Sequence, residues 1–331
     1  MKRHHERLLG GPPELTVAEF AARAGVEESI ARQYWRSLGF PDVPGDEVWF
    51  TETDVRALRA LAEAVGSSAV SLDAAQDLVR GLGHQMDRLV LWQVEAMVQD
   101  VSSRYQLDDV SARLVVLDRM VELSPLLREQ LDYAWRRQLL ALLGRIDRDI
   151  ARLGSEVGEP DQLPLERAIG FIDIVSYTTR SADLTPKALA SLVQDFESAA
   201  RDEVARYGGR VVKTIGDAVL FVADDLPAGA RVATRLVQVM ADQDLPVRGA
   251  VVWGRLLSRS GDVFGPVVNL ASRLTDLAAP HTILMDDVSA AVLESMPAGQ
   301  EFDTVHAAPV QVQGLGEVRP VHVRRHATGG A

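Results

Sequence analysis

The chain contains no cysteine among its 331 residues, which excludes disulfides and thiolate metal sites and fits a reducing interior. No uncharged apolar run approaches the roughly 18 residues that a membrane-spanning helix needs. The basic opening MKRHHERLLGGPPE lacks an apolar core of signal-peptide length. A soluble, cytoplasmic protein is the expectation. Basic residues are also scarce relative to acidic ones, 35 against 47, for a net charge of -12. Such a field repels nucleic acid and anionic membrane at long range, so any polyanionic ligand must be held by local groups. No repeat or low-complexity tract interrupts the chain.

What is present is globular in composition, with 47% hydrophobic and 25% charged residues. The length exceeds what one core usually serves, so two domains are expected, 1-160 and 161-331. Before residue 160 the pattern is helical. Met86, Leu89, Val90, Val94, Met97, Val98 and Val101 recur at steps of three and four, which predicts one helix face. Ser124-Pro125 reads as a helix start, serine capping and proline in the first turn. A stripe from Leu127 through Leu131, Trp135, Leu139, Leu142 and Ile146 to Ile150 then continues a long linker helix over about 125-154. Gly154 and GEPDQLP break it. Nearer the N-terminus, ELTVAEFAARAGVEESIARQYWRSLGF predicts two helices around a turn at Ala24-Gly25-Val26, and FTETDVRAL predicts the next.

After residue 160 strands and helices alternate. RAIGFIDIVSYT is an apolar, β-rich run suited to a sheet buried on one or both faces. A helix over 185-207 stops at Gly208-Gly209. RVVKTIGDAVLFV reads as a hairpin turning at Gly216-Asp217. A helix at 227-242, a strand at Val247 to Trp253, a helix around Val267 to Leu277 and a short strand HTILMD follow. The order β-α-β-β-α-β predicts an α+β domain of split βαβ, ferredoxin-like type, an open sheet with helices on one face, beside an all-α N-terminal domain.

Several polar residues interrupt this apolar framework. Asp173 sits inside the strand FIDIV, where an unpaired carboxylate is costly. Asp217 occupies the hairpin turn, and two converging carboxylates call for a hard cation such as Mg²⁺ or Mn²⁺. Each aspartate alone also fits ordinary capping or turn chemistry. Asn269 and Arg273, at i and i+4, share a helix face that offers an amide and a guanidinium fork suited to phosphate, or simply a solvated face. Lys213 fits a snorkelling strand lysine and Asp262 a glycine-bounded loop. Seven histidines are present, none in a motif that singles it out.

Taken in order, FIDIVSYT, KTIGD and GDVFGPVVNLASR resemble the catalytic domain of class III nucleotidyl cyclases, the adenylyl and guanylyl cyclases, over 165 to about 325. The resemblance implies that Asp173, Asp217 and the backbone carbonyl of Ile174 hold two divalent cations, Mg²⁺ or Mn²⁺. Lys213 and Asp262 would read the purine, and Asn269 and Arg273 would support the transition state. Adenine offers an amino donor and a ring acceptor, which suit Asp262 and Lys213, so the pair indicates ATP. The implied reaction is in-line attack of the ribose 3′-oxygen on the α-phosphorus, giving 3′,5′-cyclic AMP and pyrophosphate, at composite sites of a head-to-tail homodimer. Two positions depart from the family. Ser176 stands where many members have glycine, a small-for-small change expected to be tolerated. The C-terminal turn VQGLGEV lacks a lysine that often reaches the triphosphate, for which Arg319, Arg324 or Arg325 are the candidate substitutes.

The segment 14-65 resembles the start of MerR-type DNA-binding domains, which frames an alternative: a DNA-binding transcriptional regulator whose cyclase-like domain senses a nucleotide. Its five arginines against ten Asp or Glu argue against a phosphate-binding surface, so nucleic acid is not the expected partner. The helical half resembles instead that of bacterial soluble autoregulated cyclases, which implies a small-molecule, lipid-like or proton effector acting through residues 120 to 160.

Overall fold

The computed structural model describes residues 2-153, 166-177, 184-259 and 261-326. The expected break at Gly154 and GEPDQLP, and the end of the SYT run at Thr178, lie outside them. The chain divides into two compact units, Met1–Ile150 and Ala151–Ala331.

The first unit is helical. Short helices Val17–Ala24 and Glu28–Ser37 are joined through Gly25, whose φ of 77° supplies the left-handed stop that a side chain would resist. Capping boxes start two of its helices, Thr16 with Glu19 and Thr51 with Asp54, the latter opening Glu52–Gly66. Phe20 and Phe50 stack at 4.4 Å, and with Leu58 they form the centre of this small core. Two long helices follow, Leu72–Tyr105 and Asp109–Leu153. Of the stripe on the first, Val98 and Val101 are buried against Ala112 and Val116 of the second, whereas Val90 stays exposed.

One expectation here is overturned: Ser124-Pro125 does not start a helix but lies inside Asp109–Leu153. Proline at 125 removes the N–H that would bond the Val121 carbonyl. The hydroxyl of Ser124 donates to that same carbonyl at 2.9 Å and replaces the missing bond. The residue that resembles a cap is therefore what lets the helix run through.

In the second unit β1 (Glu166–Ile174), β2 (Arg210–Ile215), β3 (Ala218–Ala223) and β4 (Val247–Arg255) form the split βαβ core. Two short strands, β5 (Leu257–Arg259) and β6 (Asp262–Phe264), make a separate ribbon. The chain continues through β7 (Ile283–Asp286), β8 (Phe302–His306), β9 (Val310–Val312), β10 (Gly316–Val318) and β11 (Pro320–Arg325). The main sheet runs β2-β3-β1-β4-β7-β11-β8, with β1 antiparallel to both its neighbours.

The two crossover helices, Pro186–Arg206 and Leu226–Ala241, cover one face, burying Ala168 and Ile172 of β1 with Phe196, Ala200, Ala233 and Leu236. Helices are not confined to that face as expected, because Pro266–Leu277 covers the other, burying Ile169 and Phe171 under Ala271 and Leu274. The reason is in the strand: β1 is apolar at both parities, so each face must be covered, at about 1.5–3 kcal/mol for every large side chain removed from water. Close approach also fixes Gly170, where a Cβ would stand 2.1 Å from the ring of Phe221.

Candidate active site

Of the polar residues singled out in the sequence, Asp173 and Lys213 lie on the sheet face covered by Pro266–Leu277. Asp173 has the same strand parity as Ile169 and Phe171, and it lies opposite Ala218 of β3 and Arg248 of β4. Arg248, which sequence reasoning missed, donates from Nε and Nη2 to Asp173 Oδ2 at 3.2 and 3.1 Å. Its Nη1 donates to the backbone carbonyl of Asp276 at 2.9 Å, tying the strand to the helix. The available signal was a charged residue inside the apolar run PVRGAVV, but only strand pairing identifies its partner.

Asp217 reaches Asp173 through the hairpin. Ile215 pairs with Ala218, leaving a two-residue loop in which Gly216 has a φ of 61° and Asp217 stays out of the left-handed region. The glycine does the turning, which leaves the aspartate free for other work. The Asp217 carbonyl accepts a hydrogen bond from Ile174 N–H at 3.2 Å and so fixes the hairpin to the end of β1. The Ile174 side chain is buried, so only its backbone is available to a ligand.

Burial pushes the Asp173 carboxyl above the ordinary carboxylate range, the Arg248 hydrogen bonds oppose this, and the charge of Asp217 adds to it. The Arg248 guanidinium is bonded to Asp173, while the charges of Asp217 and Asp276 also act on that carboxylate, a net deficit of positive charge among hard oxygen donors. That donor set fits a hard divalent cation, which Asp173, Asp217 and the Ile174 backbone could hold.

Lys213 and Asp262 meet directly, Nζ to Oδ2 at 2.6 Å, from strands 49 residues apart. The register of β2 shifts between Val211 and Lys213, a bulge that aligns Lys213 with Leu220 on the Asp173 face. The lysine holds the Asp262 carboxyl below its usual range, and Val263 N–H binds its other oxygen at 2.8 Å. Both side chains remain about a third exposed, at 39% and 30%, so the pair contributes at most about 1 kcal/mol to stability. Among the described residues no hydrogen bond joins it to the carboxylate pair.

Asn269, Ser272 and Arg273 line a recess of about 370 Å³ together with Gln313, Gly314 and Leu315 of the C-terminal turn. Arg273 makes one exposed ion pair, with Asp276 at 3.6 Å, which leaves its fork available. Of the arginines considered as substitutes for a lysine in that turn, Arg325 is ruled out. It shares strand parity with Val323 on the opposite sheet face and is bound to Tyr207 and Glu301. Neither Arg319 nor Arg324 lines the recess; Gln313 does. The other departure, Ser176, has a φ of 58°, so glycine suits that position for its backbone and not merely its size.

The carboxylates with Arg248, the Lys213–Asp262 pair and the Asn269–Arg273 recess are three separate polar groups of the second unit, which between them offer hard oxygen donors and cationic groups. Comparison with known proteins gives the family. No protein-family model matches the chain. An adenylate cyclase of Glutamicibacter nicotianae is 41% identical over 324 residues, covering 95% of this chain and 80% of that one. An adenylate cyclase of Streptomyces coelicolor is 36% identical over 98% of this chain and 89% of its own. A pH-sensitive adenylate cyclase of Mycobacterium tuberculosis is 27% identical over 95% and 79%. Among solved structures, the adenylyl cyclase CyaB of P. aeruginosa aligns with a TM-score of 0.43 at 19% identity, covering 50% of this chain and 97% of that one. The chain belongs to the adenylate cyclase family.

Proposed function

We propose that the protein converts ATP to 3′,5′-cyclic AMP and pyrophosphate. The observation that carries this reading is the Lys213–Asp262 pair, an ammonium donor beside a carboxylate acceptor. That arrangement is complementary to the N1 acceptor and 6-amino donor of adenine, and guanine reverses the pattern. Asp173, Asp217 and the Ile174 carbonyl would hold two divalent cations, Mg²⁺ or Mn²⁺, whose positive charge, when bound, offsets the phosphates and favours ionisation of the ribose 3′-hydroxyl. Asn269 orients the ribose, and Arg273 meets the charge that develops on the α-phosphoryl group. Gln313 and Leu315 of the C-terminal turn, both uncharged, line the recess beside Arg273, so that turn would offer the triphosphate no cation.

The carboxylate pair of one chain would face the base-reading and Asn269–Arg273 groups of a second, in a head-to-tail homodimer with two equivalent sites. The helical unit would govern how the two catalytic units meet. Two features support this. Leu131, Trp135, Leu139, Leu142, Ile146 and Ile150 lie exposed along the long helix. A cavity of about 290 Å³, lined by residues such as Ile30, Tyr34, Leu58, Leu61, Leu72 and Val79, is almost wholly apolar and suits an uncharged or lipid-like effector. Removal of residues 1-160 should then change specific activity several-fold.

The alternative, a DNA-binding regulator, is favoured only by the two-helix shape around Gly25. Its arginines are engaged: Arg23 with Glu52, Arg32 with Glu28, and Arg36 with Asp42. Among the described residues no helix is long and apolar enough to cross a membrane. The test is incubation of purified protein with ATP and Mn²⁺, followed by chromatography for cyclic AMP. Absence of product from the wild type at every pH tested refutes the reading, and product from Asp217→Ala refutes the mechanism.

A further inference from the structure

We propose that Arg210 is a positioning residue for purine discrimination, fixing the tip of the β5–β6 ribbon so that Asp262 meets the base level with Lys213. The inference rests on the base-reading roles proposed above. The ribbon carrying Asp262 forms no part of the main sheet, so its position depends on a few attachments. Val263 is buried at its base, and Lys213 holds Asp262 from β2. Arg210, three residues before Lys213 on the same strand, donates from Nη1 to the carbonyl of Gly261 at 3.2 Å.

These attachments respond differently to a ligand. When Lys213 turns to a ring nitrogen, its bond to Asp262 weakens or is shared, and that anchor is compromised at the moment when geometry matters most. The Arg210 bond ends on the Gly261 backbone carbonyl and is not itself one of the base-reading contacts. It therefore persists while the base is read and keeps the acceptor at a fixed height. The guanidinium also adds positive charge beside Asp262, which helps to keep it an acceptor only. A neutral or misplaced Asp262 would tolerate guanine, whose six position is itself an acceptor.

The test compares Arg210→Ala and Arg210→Lys with wild type in the full chain, using ATP and GTP as Mn²⁺ salts. For Arg210→Ala, the KM for ATP should rise several-fold with kcat changed less than about twofold, and ATP preference in kcat/KM should fall about tenfold. Arg210→Lys should recover part of both, because an ammonium can still donate to the Gly261 carbonyl. A uniform loss of kcat with preference unchanged would mean a merely structural role and overturns the proposal. Asp262→Asn separates the two levels of inference. If it leaves ATP preference intact, the base-reading assignment fails and Arg210 falls with it. If it lowers preference while Arg210→Ala does not, only the Arg210 proposal is refuted.

Discussion

Replacement of Arg248 by methionine isolates the electrostatics of the carboxylate pair. Methionine keeps most of the apolar stem and deletes three hydrogen bonds, two to Asp173 and one to the Asp276 carbonyl. Asp173 is then left beside Asp217 without its guanidinium, in a site where its side chain is only 19% exposed. Breaking a fully buried pair costs about 3–5 kcal/mol; partial exposure brings the expectation here to about 2 kcal/mol. For a unit of this size that corresponds to a Tm lower by about 4–8 °C. The local charge becomes one unit more negative, so the variant should gain more from a divalent cation than the wild type does. Mn²⁺ at about 100 times its Kd adds about 2.7 kcal/mol to any protein that binds it only when folded, and a tighter Kd adds more. Differential scanning fluorimetry with and without Mn²⁺ should therefore show the gap between variant and wild type narrowing when the ion is present. A gap that Mn²⁺ leaves unchanged would refute the assignment of this carboxylate pair to a cation, whatever the activity.

Three other outcomes follow from the same geometry. Lys213→Ala and Asp217→Ala chains mixed in equal amounts should recover about a quarter of wild-type activity, since half the dimers are heterodimers with one intact site of two; no recovery in a cyclic AMP assay counts against shared sites. Ser176→Gly should raise Tm slightly, because relief of about 1 kcal/mol of left-handed strain outweighs the entropy that glycine adds to the unfolded chain; a lower Tm contradicts the strain. Asp286, buried with Oδ1 unpartnered, has its carboxyl pushed above the usual range by burial. Its penalty is absent below the unfolded carboxylate range and grows as pH rises through the folded value, so Asp286→Asn should raise Tm at neutral pH with the benefit vanishing in acid. A benefit that is equal at both pH values would exclude titration as the cause.

Much of the candidate site was legible because its polar residues violate the local pattern. An aspartate in FIDIV, a lysine in RVVKTI and an Asn–Arg pair on one helix face each contradict the apolar framework around them. Arg248 was illegible for a different reason: an arginine in a strand is unremarkable until the strand opposite is known, and its partner lies 75 residues away. Pro125 misled because a local rule for helix starts was satisfied by Ser124 making another bond, back to Val121.

The amino-acid order by itself determined the β-α-β-β-α-β succession, the Gly216 turn and the identity of the candidate site residues, because periodicity, positive φ and side-chain chemistry are local properties. Tertiary structure alone decided which groups meet. The bulge before Lys213, the parity that puts Asp173 and Arg248 on the face of helix Pro266–Leu277, and the approach of Gln313 to Asn269 and Arg273 all depend on strand register. Register is set by how both faces of the whole sheet bury their apolar residues, and no single segment carries that information.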